Sequence, residues 1–317
     1  MSIANPYLHS QSPDNEKTIR LKKWATVASM SAATILISVK FIAFLMTDSV
    51  SILSSLMDST FDAVASLVTM LSIIHAASPA DENHRFGHGK IEALAALGQA
   101  VFVFGSSMFL FFESINRFVA PQRVKDAETG IYVMIFSIVI TFCLVMFQTY
   151  VIRKTKSVAI SADYLHYKGD LLMNLSVFIA LTLSFYSRWP YFDPIFALII
   201  SLSLLWGARE ISQEAFAILL DKELPDDDRK KIIEIVSTHP EVRAIHDLRT
   251  RSTGERMFIE FHLELDGGMP LQNAHEITEA LEKKIYEAFP KSEVLIHQEP
   301  AGIDDHRLDD NILPVKQ

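Results

Sequence analysis

The sequence predicts a six-helix transmembrane bundle followed by a small α+β domain, and three observations predict it. Six apolar runs of at least 20 residues fill the first two thirds of the 317-residue chain, and about 20 apolar helical residues span roughly 30 Å of hydrocarbon. The charge is divided unevenly. Residues 1–212 carry 16 Lys and Arg against 15 Asp and Glu, whereas residues 213–317 carry 13 against 23. Beyond residue 226 the continuous apolar runs give way to short helical and alternating patterns. The predicted organisation is a membrane domain over 1–212, a soluble α+β domain over 213–300 and a flexible acidic tail over 301–317.

The predicted spans are Trp24–Met46, Val50–Ala77, Ile91–Phe112, Ile131–Ile152, Leu165–Tyr186 and Phe192–Ile211. They are apolar on all faces and lack the polar stripe of a surface helix. Mean hydropathy over the whole chain is +0.23. The first twenty residues are polar and have no apolar core of a signal peptide. Lys and Arg in the short loops set the orientation. Lys17, Arg20, Lys22, Lys23, Arg85, Lys90, Arg153, Lys154 and Lys156 fall on one side, against Arg117, Arg123, Lys125 and Arg188 on the other. Both termini and the acidic domain are therefore expected in the cytoplasm.

In the tail, Asp226–Thr238 reads as a helix with Ile232, Ile233 and Val236 on its apolar side and three acidic residues at its start, where the helix dipole favours them. Val242–Thr250 reads as a strand. Met257–Leu265 alternates, with Phe258, Glu260, His262 and Glu264 on the face opposite Met257, Ile259, Phe261, Leu263 and Leu265. Leu271–Phe289 is an amphipathic helix and Ser292–Glu299 a third strand. The order helix–strand–strand–helix–strand predicts helices layered on a small sheet. Acidic composition argues against a nucleic-acid partner, which needs a basic surface, and favours cations. Cys143 has no partner for an intrachain disulfide or a CxxC site and is expected as a packed thiol.

An ionisable residue inside a span is costly and marks function by default. The second span holds Asp58 and Asp62, and the fifth holds His166 and Asp170. Both pairs are four residues apart, which stacks the side chains on one helix face. Together they offer three carboxylates and one imidazole, enough for a four-coordinate divalent cation. His75, Glu92, Lys40 and Asp163 lie near span ends, where snorkelling to the interface accounts for them. In the loop DENHRFGHGK, Asp81, His84 and His88 are spaced to hold a metal, with Gly87 and Gly89 permitting the turns. The tail adds His246, His262, His275, His297 and Glu299. His297 and Glu299 share one strand face. No HExxH, G-x-S-x-G or GxxxxGK[ST] run is present, which argues against an intramembrane protease, a serine hydrolase and an ATP-driven pump.

The DxxxD and HxxxD spans, the segment from Ser51 to Asp62, DENHRFGHGK, DYLHYKGD, LLDKELPD and the strand end IHQEP resemble the cation diffusion facilitator family, and within it the bacterial ferrous-iron/zinc efflux pumps. The resemblance runs from Lys22 to Pro300. It implies a ferredoxin-like, metallochaperone-like tail. It also implies a homodimer in the bacterial inner membrane that exports zinc, with iron(II) or cadmium as alternative substrates, in exchange for protons. Such a protein is a secondary transporter and not an enzyme, and its partners are membrane lipid, divalent metal and a second copy. The resemblance implies a transport site at Asp58, Asp62, His166 and Asp170 and a loop site at Asp81, His84 and His88. It implies a two-metal tail site at His246, His262, His275 and His297, with Glu299 where an Asp is usual. It further implies an inter-domain ion pair between Lys90 and Asp221.

Overall fold

The computed structural model describes residues 13–47, 50–119, 128–187 and 191–303. Arg123, Lys125 and Arg188, counted above for orientation, lie outside these residues, as does most of the acidic tail. The described chain forms two units that divide at Phe216/Ala217.

The first unit contains α1 (Pro13–Thr47), α2 (Val50–Ala76), α3 (Lys90–Val119), α4 (Glu128–Thr155), α5 (Val158–Ser187) and α6 (Phe192–Leu219). The helices run past the apolar spans at several ends, because propagation adds one hydrogen bond per residue once a helix exists. Among the described residues, five of the six are long and apolar enough to cross a membrane. The first half of α5 carries Asp163, Lys168 and Asp170, and an apolar run follows them. Large apolar side chains, among them Phe41, Leu45, Val101, Phe109, Met146 and Trp206, are exposed on the bundle. Water does not stabilise such a surface, whereas hydrocarbon does. Cys143 is exposed on α4 and not packed as expected.

Small residues line the helix contacts. Ala25, Ala32, Ala33, Ala93, Ala96, Ala100, Ala159 and Ala162 are buried, as expected where backbones must approach closely in lipid. On α5 and α6 two glycines are used reciprocally. A Cβ on Gly169 would come within 3.0 Å of Leu204, and one on Gly207 within 2.7 Å of Leu165.

The second unit contains α7 (Asp226–Ser237), β1 (Ala244–Ser252), β2 (Met257–Leu265), α8 (Leu271–Ala288) and β3 (Ser292–Pro300). The sheet order is β1-β2-β3, with β1 antiparallel and β3 parallel to β2. Ile259, Phe261, Leu263 and Leu265 of β2 pack with Ile232 and Val236 of α7 and with Ala274, Ile277, Leu281 and Ile285 of α8. The helices therefore cover one sheet face. Ile233, expected on the inner side of its helix, is exposed. It sits about 100° around the helix from Ile232, and Ile235 takes its place at the core margin. On the opposite face, Phe258 is buried beneath the Arg251 guanidinium, 4.7 Å from its ring centroid. The segment leading into α7 is tied to the sheet by Leu224 N–H donating to Thr250 Oγ1 (2.9 Å) and Thr250 N–H donating to Glu223 Oε2 (3.0 Å).

Candidate metal centres

The packing of α2 against α5 brings Asp62, His166 and Asp170 together, with one potential ligand atom from each within 4.8 Å of the others. His166 Nε2 lies 2.8 Å from Asp62 Oδ1 and 3.7 Å from Asp170 Oδ2. Phe102 of α3 meets the imidazole edge-on, with centroids 5.7 Å apart. Asp58, one turn before Asp62, is exposed and stays outside the triad.

Three residues expected at the membrane interface are instead buried and partnered. Lys40 donates to Ser59 Oγ (2.6 Å) and to the Ser55 carbonyl (3.1 Å). Glu92 accepts from Lys22 Nζ (2.7 Å) and from the Ser157 hydroxyl. Asp163, 1% exposed, accepts hydrogen bonds from α1, α2, α3 and α4. Position along the chain placed these groups near span ends, but polar partners on other helices satisfy them inside the bundle. The Ser and Gln residues within the spans were the available signal. His75 is exposed and lines an apolar groove between α2 and α3.

In the loop, the Asp81 carboxylate organises its own turn. Its Oδ1 accepts from the backbone N–H groups of His84 (2.7 Å) and Asn83 (2.9 Å). The His84 backbone bond foremost, with the Asn83 bond beside it, holds its carboxyl below the usual carboxylate range against the opposing effect of desolvation. His84 Nδ1 lies 3.2 Å and His88 Nε2 3.3 Å from the carboxylate. Gly87, at φ +82°, makes the reversal that returns His88 to Asp81. Gly89 does not use a positive φ.

In the tail, His246, His262 and His297 are register partners across β1, β2 and β3, and so form a row on the uncovered sheet face. Ring centroids are 5.2 Å apart for the first pair and 4.7 Å for the second. The Glu299 carboxylate reaches His246 Nε2 (2.7 Å) and His262 Nδ1 (3.4 Å). A bulge after His246, with Asp247 at φ +52°, turns the strand there. Glu264, paired with Glu299 across the strands, lies 3.3 Å from His246 Nδ1, a buried atom with no hydrogen-bond partner among the described residues. A ligand-ready imidazole between two carboxylates fits a metal. His275 is not gathered into this cluster. It is exposed on α8, on the helix-covered side of the sheet, 3.5 Å from Glu279. Asp221, in the turn after α6 at φ +53°, lies 3.7 Å from Arg251, and Lys90 opens α3.

A bundle of membrane-length helices with carboxylates and an imidazole gathered inside it, joined to an α+β domain, defines a class: multi-pass cation transporters. The chain matches the family described as cation efflux transmembrane domain over residues 26–220 and cation efflux protein, cytoplasmic domain, over residues 224–301. It belongs to the cation diffusion facilitator family of cation-efflux transporters. It is 44% identical to the cation-efflux pump FieF of Escherichia fergusonii, over 91% of this chain and 96% of that protein. It is 43% identical to FieF of Serratia proteamaculans, over 90% and 94%. Among solved structures, the metal-bound C-terminal domain of the CzcD transporter from Thermotoga maritima is 34% identical, covering 25% of this chain and 93% of that one with a TM-score of 0.24. The cytosolic domain of a cation diffusion facilitator family protein is 35% identical, covering 24% and 93% with a TM-score of 0.23.

Proposed function

We propose that this transporter exports zinc across the bacterial inner membrane in exchange for protons, with iron(II) and cadmium as alternative substrates. The observation that carries the reading is the convergence of Asp62, His166 and Asp170 inside the bundle. Two carboxylates and an imidazole suit zinc and its neighbours in the first transition row. Asp58 joins the set by a small movement of α2 or of its side chain, since it lies one turn from Asp62 on the same helix.

Ligation requires a neutral imidazole and ionised carboxylates, so metal binding releases protons and metal and protons compete for the site. A site facing the cytoplasm loads metal. The same site facing an acidic exterior takes protons and lets metal go. Rocking of helices about a fixed site supplies the alternation.

The loop and tail clusters serve as further zinc sites. His246, His262 and Glu299 hold the first tail metal, with His297 beside them. His275 lies on the other side of its own sheet, so a second chain supplies it, and metal joins two tails in a homodimer. Both termini are cytoplasmic, and the functional boundaries follow 1–212, 213–300 and 301–317.

The test is flux of zinc, iron(II), cadmium and manganese into sealed vesicles containing the purified protein, with and without a pH gradient. Zinc uptake that rises with an opposing proton gradient is expected. Uptake indifferent to the gradient would overturn proton coupling, and no uptake of any of these metals would overturn the reading as a whole.

A further inference from the structure

A second contact joins α2 to α5 one turn away from the ligand triad, and it is built around a carboxylate with no ligand role. Ser66 follows Asp62 by four residues, and Tyr167 follows Asp163 by four, so each pair shares a helix face. Tyr167 Oη and Ser66 Oγ are 2.8 Å apart, and Ser66 Oγ donates to Asp163 Oδ1 at 3.3 Å. Gln99 Nε2 of α3 donates to the same oxygen at 3.1 Å. The other oxygen accepts from Ser29 Oγ of α1 at 2.6 Å and Gln148 Nε2 of α4 at 2.7 Å.

The surrounding polar atoms are oriented to match. Gln148 Nε2 also donates to Ser29 Oγ (3.0 Å), and Thr69 holds the Gln99 amide oxygen at 3.1 Å, which turns the Gln99 nitrogen toward Asp163. Ser29, Ser66, Gln99 and Gln148 are each placed to donate to the carboxylate. The same α3 face that presents Gln99 to this carboxylate presents Phe102, three residues on, to the His166 ring. Helices α2, α3 and α5 therefore meet twice, once at the ligands and once at Asp163.

We infer that Asp163 is the positioning residue of the intramembrane metal site. By collecting donors from four helices it fixes the register of α5 on α2, and that register delivers His166 to Asp62. It acts through Ser66 and Tyr167 and does not touch the metal. The inference rests on the reading of Asp62, His166 and Asp170 as that site.

The test measures zinc affinity of the full-length, detergent-solubilised protein by competition with a chromophoric chelator, with the loop and tail ligands substituted in every variant. Asp163→Asn keeps the shape but places an amide donor among donors. It should weaken zinc binding by about 10- to 100-fold, the usual cost of losing a supporting partner. Adding Gln148→Glu restores a complementary pair and should recover affinity to within about threefold of the parent on the same scale. Ser66→Ala removes one hydroxyl and should weaken binding about tenfold. It decides the matter if Asp163→Asn fails to fold. Parent-like affinity in Asp163→Asn or Ser66→Ala, or no recovery in the double variant, overturns the positioning role. Asp170→Ala separates the two readings. If it loses zinc while Asp163→Asn keeps it, only this inference fails. If Asp170→Ala also keeps zinc, the site itself is misassigned.

Discussion

His166 Nε2 stands 2.8 Å from Asp62 Oδ1, across helices that are 104 residues apart in the chain. Among the described residues neither has so close an ion-pair partner on its own helix, where His166 and Asp170 are 3.7 Å apart. The intramembrane site therefore exists only when α2 and α5 are packed in one register, and a movement that separates them takes it apart.

Asp62→Ala and Asp170→Ala should each reduce zinc flux in sealed vesicles to the level of protein-free vesicles. The protein should still insert and keep its oligomeric size by light scattering. Each substitution removes a carboxylate from a cluster whose potential ligand atoms lie within 4.8 Å of one another. Near-normal flux from either variant would remove that residue from the site.

Replacing the single imidazole should change selectivity. Imidazole suits zinc, whereas carboxylate oxygen suits manganese and magnesium. In His166→Asp, with the loop and tail sites removed, zinc affinity should fall by more than about tenfold. Manganese affinity should change by less. Equal losses for both metals would mean that His166 contributes charge and not donor type.

The tail depends on one small core. Leu281 is fully buried among β2, α7 and α8. Truncation to Ala should cost about 2–5 kcal/mol, a large share of the stability of so small a domain. Amide exchange in β2 and α8 of the full-length protein should accelerate while protection in the membrane helices holds. Zinc bound at the intramembrane site should be unaffected, and a parallel loss of that zinc would count against independent units.

One carboxylate of α8 gives the tail a pH dependence. Burial, and after it the neighbouring Glu279, push Glu282 above its ordinary value, with His275 opposing. A raised carboxyl favours the folded state while protonated, and that contribution is lost as pH rises through its folded value. Glu282→Gln should therefore stabilise α8 at neutral pH, by at most about 0.5 kcal/mol because the side chain is half exposed and screened. Amide exchange in α8 should differ less between pH 5 and 7 in the variant than in the parent. An undiminished difference would assign the pH response to another group.

The sequence by itself determined the layers of this protein. Apolar run lengths located six helices, a period of two located β2 at its observed ends, and motif spacing named the groups that could bind metal. These features are local: a hydrocarbon span, a pleat and a helical turn each impose a short repeat that the chain must carry. Only the tertiary structure decided which candidates meet. It joined Asp62 to His166 and Asp170 but left Asp58 a turn away. It set His246, His262 and His297 in a row through strand register, and it put His275 on the other side of the sheet. It also turned Asp163, Lys40 and Glu92 from apparent interfacial charges into buried hubs. The physical reason is common to all of them. Whether a buried polar group is tolerated depends on donors and acceptors brought from other helices, and nothing in the spacing along one helix specifies which neighbour will supply them.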